Sequence, residues 1–336
     1  MSQITNNLFK KEQSLAYKML IPTILILLIV AVYPLGQVVY TSFTNRVFAG
    51  VEETEFVGLD NYTSLFSLTI KELPEDKYSF EVLPRKPKRY KELTTFSFSG
   101  EKYIIGAIHP EFIKSIWNTI IFTFFAVFFE TLFGFIIALV VNSKFVGRGV
   151  MRAIMLLPWA VITVVSARIW EWILFPSRIG FLNMFLSKFG IGNGQISFLT
   201  ESGLQLPSLI MVDVWKTTPF MALLILAGLQ LIPNELYEAA RVDGAGKIKQ
   251  FFSITFPLLK PSLAVALIFR TLASLRVFGL FQVLVGQQKY SMASYNYYQL
   301  IGNRAMGLAS AISVIIFIII FIFAVMYMKT LGVENE

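Results

Sequence analysis

Six stretches of this sequence are predominantly apolar for more than twenty residues each: 17–43, 115–142, 151–175, 206–232, 257–285 and 306–328. At 1.5 Å of rise per residue, each is long enough as a helix to cross about 30 Å of hydrocarbon. The pattern predicts an all-α polytopic membrane protein with six transmembrane helices. The first run, whose apolar core starts at Met19, is too long for a signal-peptide core and is expected to be a retained helix, kinked at Pro22 and Pro34. Between the third and fourth runs, Ile179–Lys188 is amphipathic and follows Trp170 and Trp172, a combination that suits a helix lying in the membrane interface.

Two polar segments break this rhythm. Residues 44–114 alternate polar and apolar positions at Tyr78–Leu83 and Thr95–Phe98, on either side of the basic run Arg85–Arg89. That predicts a small insertion of mixed or β character, with the basic run as a solvated hairpin tip. Residues 233–257 predict a helix-turn-helix knuckle. Leu236, Ala239 and Ala240 beside Glu238 and Arg241 form a short amphipathic helix, Asp243-Gly244 stops it, and a second helix starts at Lys247 with Phe251, Phe252 and Ile254 on its apolar face. Pro257 and Pro261 are expected to open the fifth membrane helix, since a first turn has free N–H groups in any case. The chain thus divides into an N-terminal segment 1–16, a first membrane helix 17–43, the insertion 44–114, a core 115–328 with five membrane helices and the loop 233–257, and a tail 329–336.

Charge assigns sides to these segments. Lys10, Lys11, Lys18, Lys144, Arg148, Arg152, Arg241, Lys247, Lys249, Lys260 and Lys329 fall on one face, against Arg178, Lys188, Lys289 and Arg304 in the opposite short loops. The positive-inside rule makes both termini and the knuckle cytoplasmic and the insertion extracytoplasmic. The formal net charge of +8 is therefore explained by topology rather than by nucleic-acid binding. Cysteine is absent and His109 is the only histidine, which leaves no cysteine- or histidine-rich metal site.

The chemistry that remains is sparse. Gly244–Lys247 resembles the end of a phosphate-binding loop, but Arg241 stands where its first glycine belongs and Ile248 where it needs Ser or Thr. No catalytic residue is expected, and the chain should not hydrolyse ATP by itself. Charges inside the apolar runs carry more information, because they are costly there. Glu130, Arg168, Asp213, Lys216, Arg270 and Arg276 lie in runs two to five, and Asp213 and Lys216 are spaced to pair on one helical face. These charges either neutralise one another across helix contacts or line a substrate path. For such a path the polar candidates are Asp213, Arg270, Ser274, Arg276 and Gln282. A stand-alone ion- or proton-coupled transporter using Glu130 and the span-five arginines, Arg270 and Arg276, is the alternative reading.

Glu238-Ala-Ala, Gly244, Ile254 and Pro257 have the spacing of the cytoplasmic Glu-Ala-Ala loop of membrane permeases in ATP-binding-cassette importers, with Phe256 where leucine is usual. Further matches are Phe56–Tyr62, Trp117–Thr119, Gly147–Gly149, Leu157–Trp159, Trp215–Pro219, Phe269–Thr271 and Arg276–Phe278. The sequence resembles the carbohydrate-uptake branch of that family, similar to the maltose permeases. It departs at Gly286–Ser291, where a glycine-rich stretch is common, and in the length of its insertion. The resemblance implies a type I importer permease fold in a bacterial-type inner membrane and a sugar as cargo. It also implies a second homologous permease, two cytoplasmic ATPase subunits that hold ATP and magnesium, and an extracytoplasmic solute-binding protein. Glu238, Ala239, Ala240, Asp243, Gly244, Ile254 and Pro257 would form the loop that couples this chain to an ATPase.

Overall fold

The computed structural model describes residues 2–51, 53–143 and 145–331. Lys144 and the end of the tail, 332–336, lie outside the described residues. In chain order the elements are α1 (Ser2–Leu27), a π-helical turn (Leu28–Val32), α2 (Tyr33–Thr41), α3 (Asp60–Phe66), β1 (Leu68–Glu72), α4 (Ser79–Val82), β2 (Lys91–Phe98), β3 (Glu101–Ala107) and α5 (Pro110–Asn142). They continue with α6 (Arg148–Met155), α7 (Leu157–Ala160), α8 (Thr163–Ile173), α9 (Phe181–Lys188), α10 (Ser202–Gln230), α11 (Asn234–Val242) and α12 (Lys247–Gln250). The last are α13 (Phe256–Ser274), α14 (Gly279–Leu284), α15 (Met292–Tyr297) and α16 (Met306–Leu331). Among the described residues, five helices are long and apolar enough to cross a membrane, and a sixth crossing arises if the bent pair Arg148–Ala160 and Thr163–Ile173 is one span.

The chain forms two compact units. The smaller comprises Met1–Ser64 and Tyr297–Ile315. Its first membrane helix passes Pro22 and Pro34 without a break, absorbing the second in the π-helical turn just before it. Asn61 then ties the following loop down, donating to the Ser42 and Thr44 carbonyls at 2.9 Å each, while the Tyr62 hydroxyl meets that of Ser42 at 2.7 Å. Arg304 closes the unit by donating to the Phe48 and Ala49 carbonyls.

In the larger unit, Leu65–Asn296 and Ile316–Glu336, α5 packs along α10, and α13 lies against both. Gly134 permits this approach, since a Cβ there would stand 3.1 Å from the backbone nitrogen of Ala222. The apolar core falls into two clusters. Phe122, Leu209, Val212 and Phe281 anchor one, and Val141, Met221, Ile225 and Leu259 the other.

Four sequence expectations are corrected by the fold. The third span is not one helix: it bends by 91° between Ala160 and Thr163. The fifth does not open at Pro257, because helix starts at Lys247 and runs through a π-helical turn, Phe251–Thr255, into α13. That turn sits where the proline ring, which cannot donate, would otherwise disturb the ladder. The insertion holds a three-stranded antiparallel sheet of order β1-β3-β2, but its hairpin turns at Ser99-Gly100, both at positive φ, rather than at the basic run. Tyr78–Leu83 contains one helical turn rather than a strand.

Candidate functional site

Charges from three membrane helices meet inside the larger unit. Arg270 on α13 grips Glu130 on α5 with two nitrogens, Nη2 standing 2.7 Å from Oε1, and the same Nη2 reaches the carboxylate of Asp213 on α10. The side chains of Glu130, Arg270 and Asp213 are only 0%, 7% and 9% exposed, so water does little to solvate them. The Thr217 hydroxyl lies between the Glu130 carboxylate and the Asp213 carbonyl and accepts from Arg270 at 3.2 Å. Desolvated charges persist at such a depth when paired and hydrogen-bonded, as these are.

Lys216 does something else. Its spacing suggested a pair with Asp213, but its ammonium donates to the carbonyls of Trp159, at 3.4 Å, and Val161, at the bend of the third span. A helix broken inside a membrane leaves carbonyls without intrahelical donors, and Lys216 supplies protons to two of them. Two acidic and two basic side chains thus share the region.

Beside them is a cavity of about 210 Å³, lined by Thr163, Asp213, Lys216, Arg270, Ser274 and Phe278 among others. The buried Ser274 hydroxyl has no hydrogen-bond partner among the described residues. Of the five path candidates, the fold brings Asp213, Arg270 and Ser274 to this cavity. Arg276 lies in the turn after α13, bonded to the Leu272 carbonyl, and Gln282 lies on α14; neither lines it. Arg168 is paired on the surface with Glu171 at 2.6 Å. Thr217 and the bend were not foreseen from the sequence; Pro158, in the first third of the third run, was the available sign of the latter. A larger hollow of about 710 Å³ is walled by Phe124, Phe128, Phe135 and other apolar side chains, a poor surface for a polar solute.

The second candidate lies on the loop 233–257. α11 carries Glu238, Ala239 and Ala240 and ends at Asp243, after which Gly244 adopts φ +73°. Backbone bonds from Ala245 to Ala240 (2.8 Å) and from Gly244 to Arg241 (3.1 Å) close the helix end, a geometry that glycine enters without strain. The knuckle is fixed at its base: Tyr237 and Thr255 hydroxyls meet at 2.9 Å, Ile254 packs into the second core cluster, and Phe251 meets Phe135 edge to face. Its outer surface is open, with Val242 88% and Ile248 77% exposed beside exposed Glu238, Ala239 and Gly244. Pro257 stands in the first turn of α13 and is exposed. The Glu238–Arg241 pair, 3.9 Å apart and open to solvent, contributes little to stability.

Residues 130–330 match the family model described as "Binding-protein-dependent transport system inner membrane component". Over 334 residues the chain is 36% identical to the trehalose/maltose transport system permease protein MalF of Thermococcus litoralis, covering 98% of this chain and 97% of that one. It is 31% identical to the sulfoquinovosyl glycerol transport system permease protein SmoG of Agrobacterium fabrum, over 96% of this chain and 92% of the relative. Its fold resembles a chain of a bacterial alginate ABC transporter solved in complex with an alginate pentasaccharide-bound periplasmic protein. There the TM-score is 0.70 at 23% identity, over 94% of this chain and 93% of that one.

Proposed function

The chain belongs to the family of binding-protein-dependent transport system inner membrane components, and from that premise we propose that it is the permease subunit of an ATP-driven sugar importer. It has the type I importer permease fold and is a transport component rather than an enzyme. The observation that carries the sugar reading is the 36% identity, over nearly the full length of both chains, to a trehalose/maltose permease.

In this reading the chain forms half of a translocation path with a second, homologous permease. Two cytoplasmic ATPases bind ATP and magnesium, and this chain binds neither. A solute-binding protein delivers sugar from outside, and both termini and the knuckle face the cytoplasm. One ATPase seats the knuckle: Ala239 and Ala240 let it approach closely, Gly244 makes the turn, Val242 and Ile248 offer apolar contact and Glu238 a charge. Asp243 ends the first helix, and Ile254 and Pro257 root the second in the fifth span. ATP-driven closure of the ATPase pair pushes on this rooted element and rocks the spans between inward- and outward-open states.

Sugar passes beside Asp213, Arg270 and Ser274. The free hydroxyl of Ser274 and the carboxylate edge of Asp213 suit a polyhydroxylated cargo. Reconstitution separates this reading from a stand-alone transporter built on Glu130. In liposomes the chain alone should carry no sugar under a proton or sodium gradient, and uptake should appear only with its permease partner, ATPases, binding protein and ATP. Gradient-driven uptake by the chain alone would contradict the proposal.

A further inference from the structure

The insertion's basic run has no part in transport as described, yet its position in the fold is specific. Lys91 of β2 pairs in register with Ala107 of β3, two residues before His109, and Pro110 then opens membrane helix α5. The opposite end of the hairpin, where Phe98 pairs with Glu101, lies about 20 Å further along the strands. Arg85, Arg89 and Lys91 gather at the foot, where Leu83 packs over Gly106, and Lys88 stands close enough to act on His109. Toward the tip stand Glu101 and Glu72, the latter paired with Tyr103, together with Lys102. The end nearest the membrane helix is thus the basic one.

A cleft of about 150 Å³ opens there, walled by Ser79, Phe80, Arg85, Arg89 and Lys91, with Glu92 as its one carboxylate. Its walls are held in place. Arg85 donates to the Phe80 carbonyl from Nε at 3.3 Å and Nη2 at 2.9 Å, and its guanidinium stands 6.0 Å from the centre of the Phe80 ring. Tyr90 is fixed by a 2.6 Å contact with the Ser67 hydroxyl. Phe80 stacks on Tyr78 at 5.5 Å, and both rings are more than half exposed. The positive field reaches the entrance of α5: burial, then Lys91 and Lys88, hold His109 well below its ordinary pKa.

We propose that this cleft binds the phosphate of an anionic lipid headgroup, with Tyr78 and Phe80 resting in the interfacial layer. Cationic side chains beside exposed aromatics, at the level where a spanning helix begins, are what such a headgroup requires. A soluble protein approaching along the hairpin would meet the tip first, and free phosphate would gain nothing from the aromatic pair.

The chain has no cysteine, so Lys86→Cys gives a single attachment point for a fluorophore next in sequence to Arg85 of the cleft. The labelled full chain is placed in phosphatidylcholine nanodiscs that contain either phosphatidylglycerol or phosphatidylcholine bearing a headgroup nitroxide. The anionic quencher should be enriched about fivefold or more over the zwitterionic one. Arg85→Gln with Arg89→Gln and Lys91→Gln should abolish the preference, Arg85→Lys with Arg89→Lys should keep it, and inorganic phosphate should not displace the lipid. Equal quenching by both lipids, displacement by inorganic phosphate, or shielding of the label only when the solute-binding protein is added would each overturn the proposal.

Discussion

Arg270 and Glu130 face each other across two membrane helices, joined through two guanidinium nitrogens although 140 residues separate them in sequence. The same guanidinium holds Asp213, so a third helix depends on it. Arg270→Met leaves the buried carboxylates of Glu130 and Asp213 without the guanidinium that pairs with both, and should destabilise the chain by about 3–5 kcal/mol. Combining it with Glu130→Gln and Asp213→Asn should recover most of that loss. Thermal unfolding of the single and triple variants in nanodiscs checks both expectations.

Lys216 stitches the bend of the third span. With Lys216→Met, the carbonyls of Trp159 and Val161 lose their donor inside the membrane, at a cost of about 1–3 kcal/mol. Hydrogen exchange at residues 159–165 should then speed up about tenfold or more, while the core of α10 below it stays protected. Unchanged exchange at the bend would show that Lys216 does not hold it.

The parts of this fold that the sequence displayed are those set by local rules. Asp243-Gly244 stops a helix whatever surrounds it, and an apolar run can span hydrocarbon by length alone, so the knuckle and five of the six spans could be read directly. What could not be read depends on partners far along the chain. Asp213 and Lys216 have helical pairing distance, yet Arg270 reaches Asp213 from another helix and Lys216 turns to free carbonyls that exist only because the third span breaks. Strand-like alternation at Tyr78–Leu83 misled for a similar reason: Leu83 is apolar because it packs over Gly106, not because it lies in a sheet. Gln282 and Arg276 were grouped with Ser274 by proximity in sequence, and the turn after α13 separates them.

His109 gives the stability a pH dependence. Burial first, then Lys91 and Lys88, lower its pKa from 6.5 to about 4. Between these values the unfolded chain binds a proton that the folded chain excludes, so stability is full above pH 6.5 and is lost as pH falls toward 4, by up to about 3 kcal/mol. The Tyr295 hydroxyl, 3.3 Å from Nδ1, adds no charge to offset this. His109→Gln should flatten that slope in unfolding measured across the same range.

In the proposed function ATP hydrolysed elsewhere drives this chain through its exposed knuckle, and Gly244 is the position that tests it. At φ +73°, with no heavy atom within 4 Å of the site of a Cβ, Gly244→Asp strains the turn and adds charge to its surface without disturbing the membrane core. The decisive measurement is sugar-stimulated ATPase activity of the full complex in liposomes, with insertion of the variant verified. Loss of stimulation with basal ATPase activity retained is the predicted result; wild-type stimulation and uptake with Gly244→Asp would contradict it.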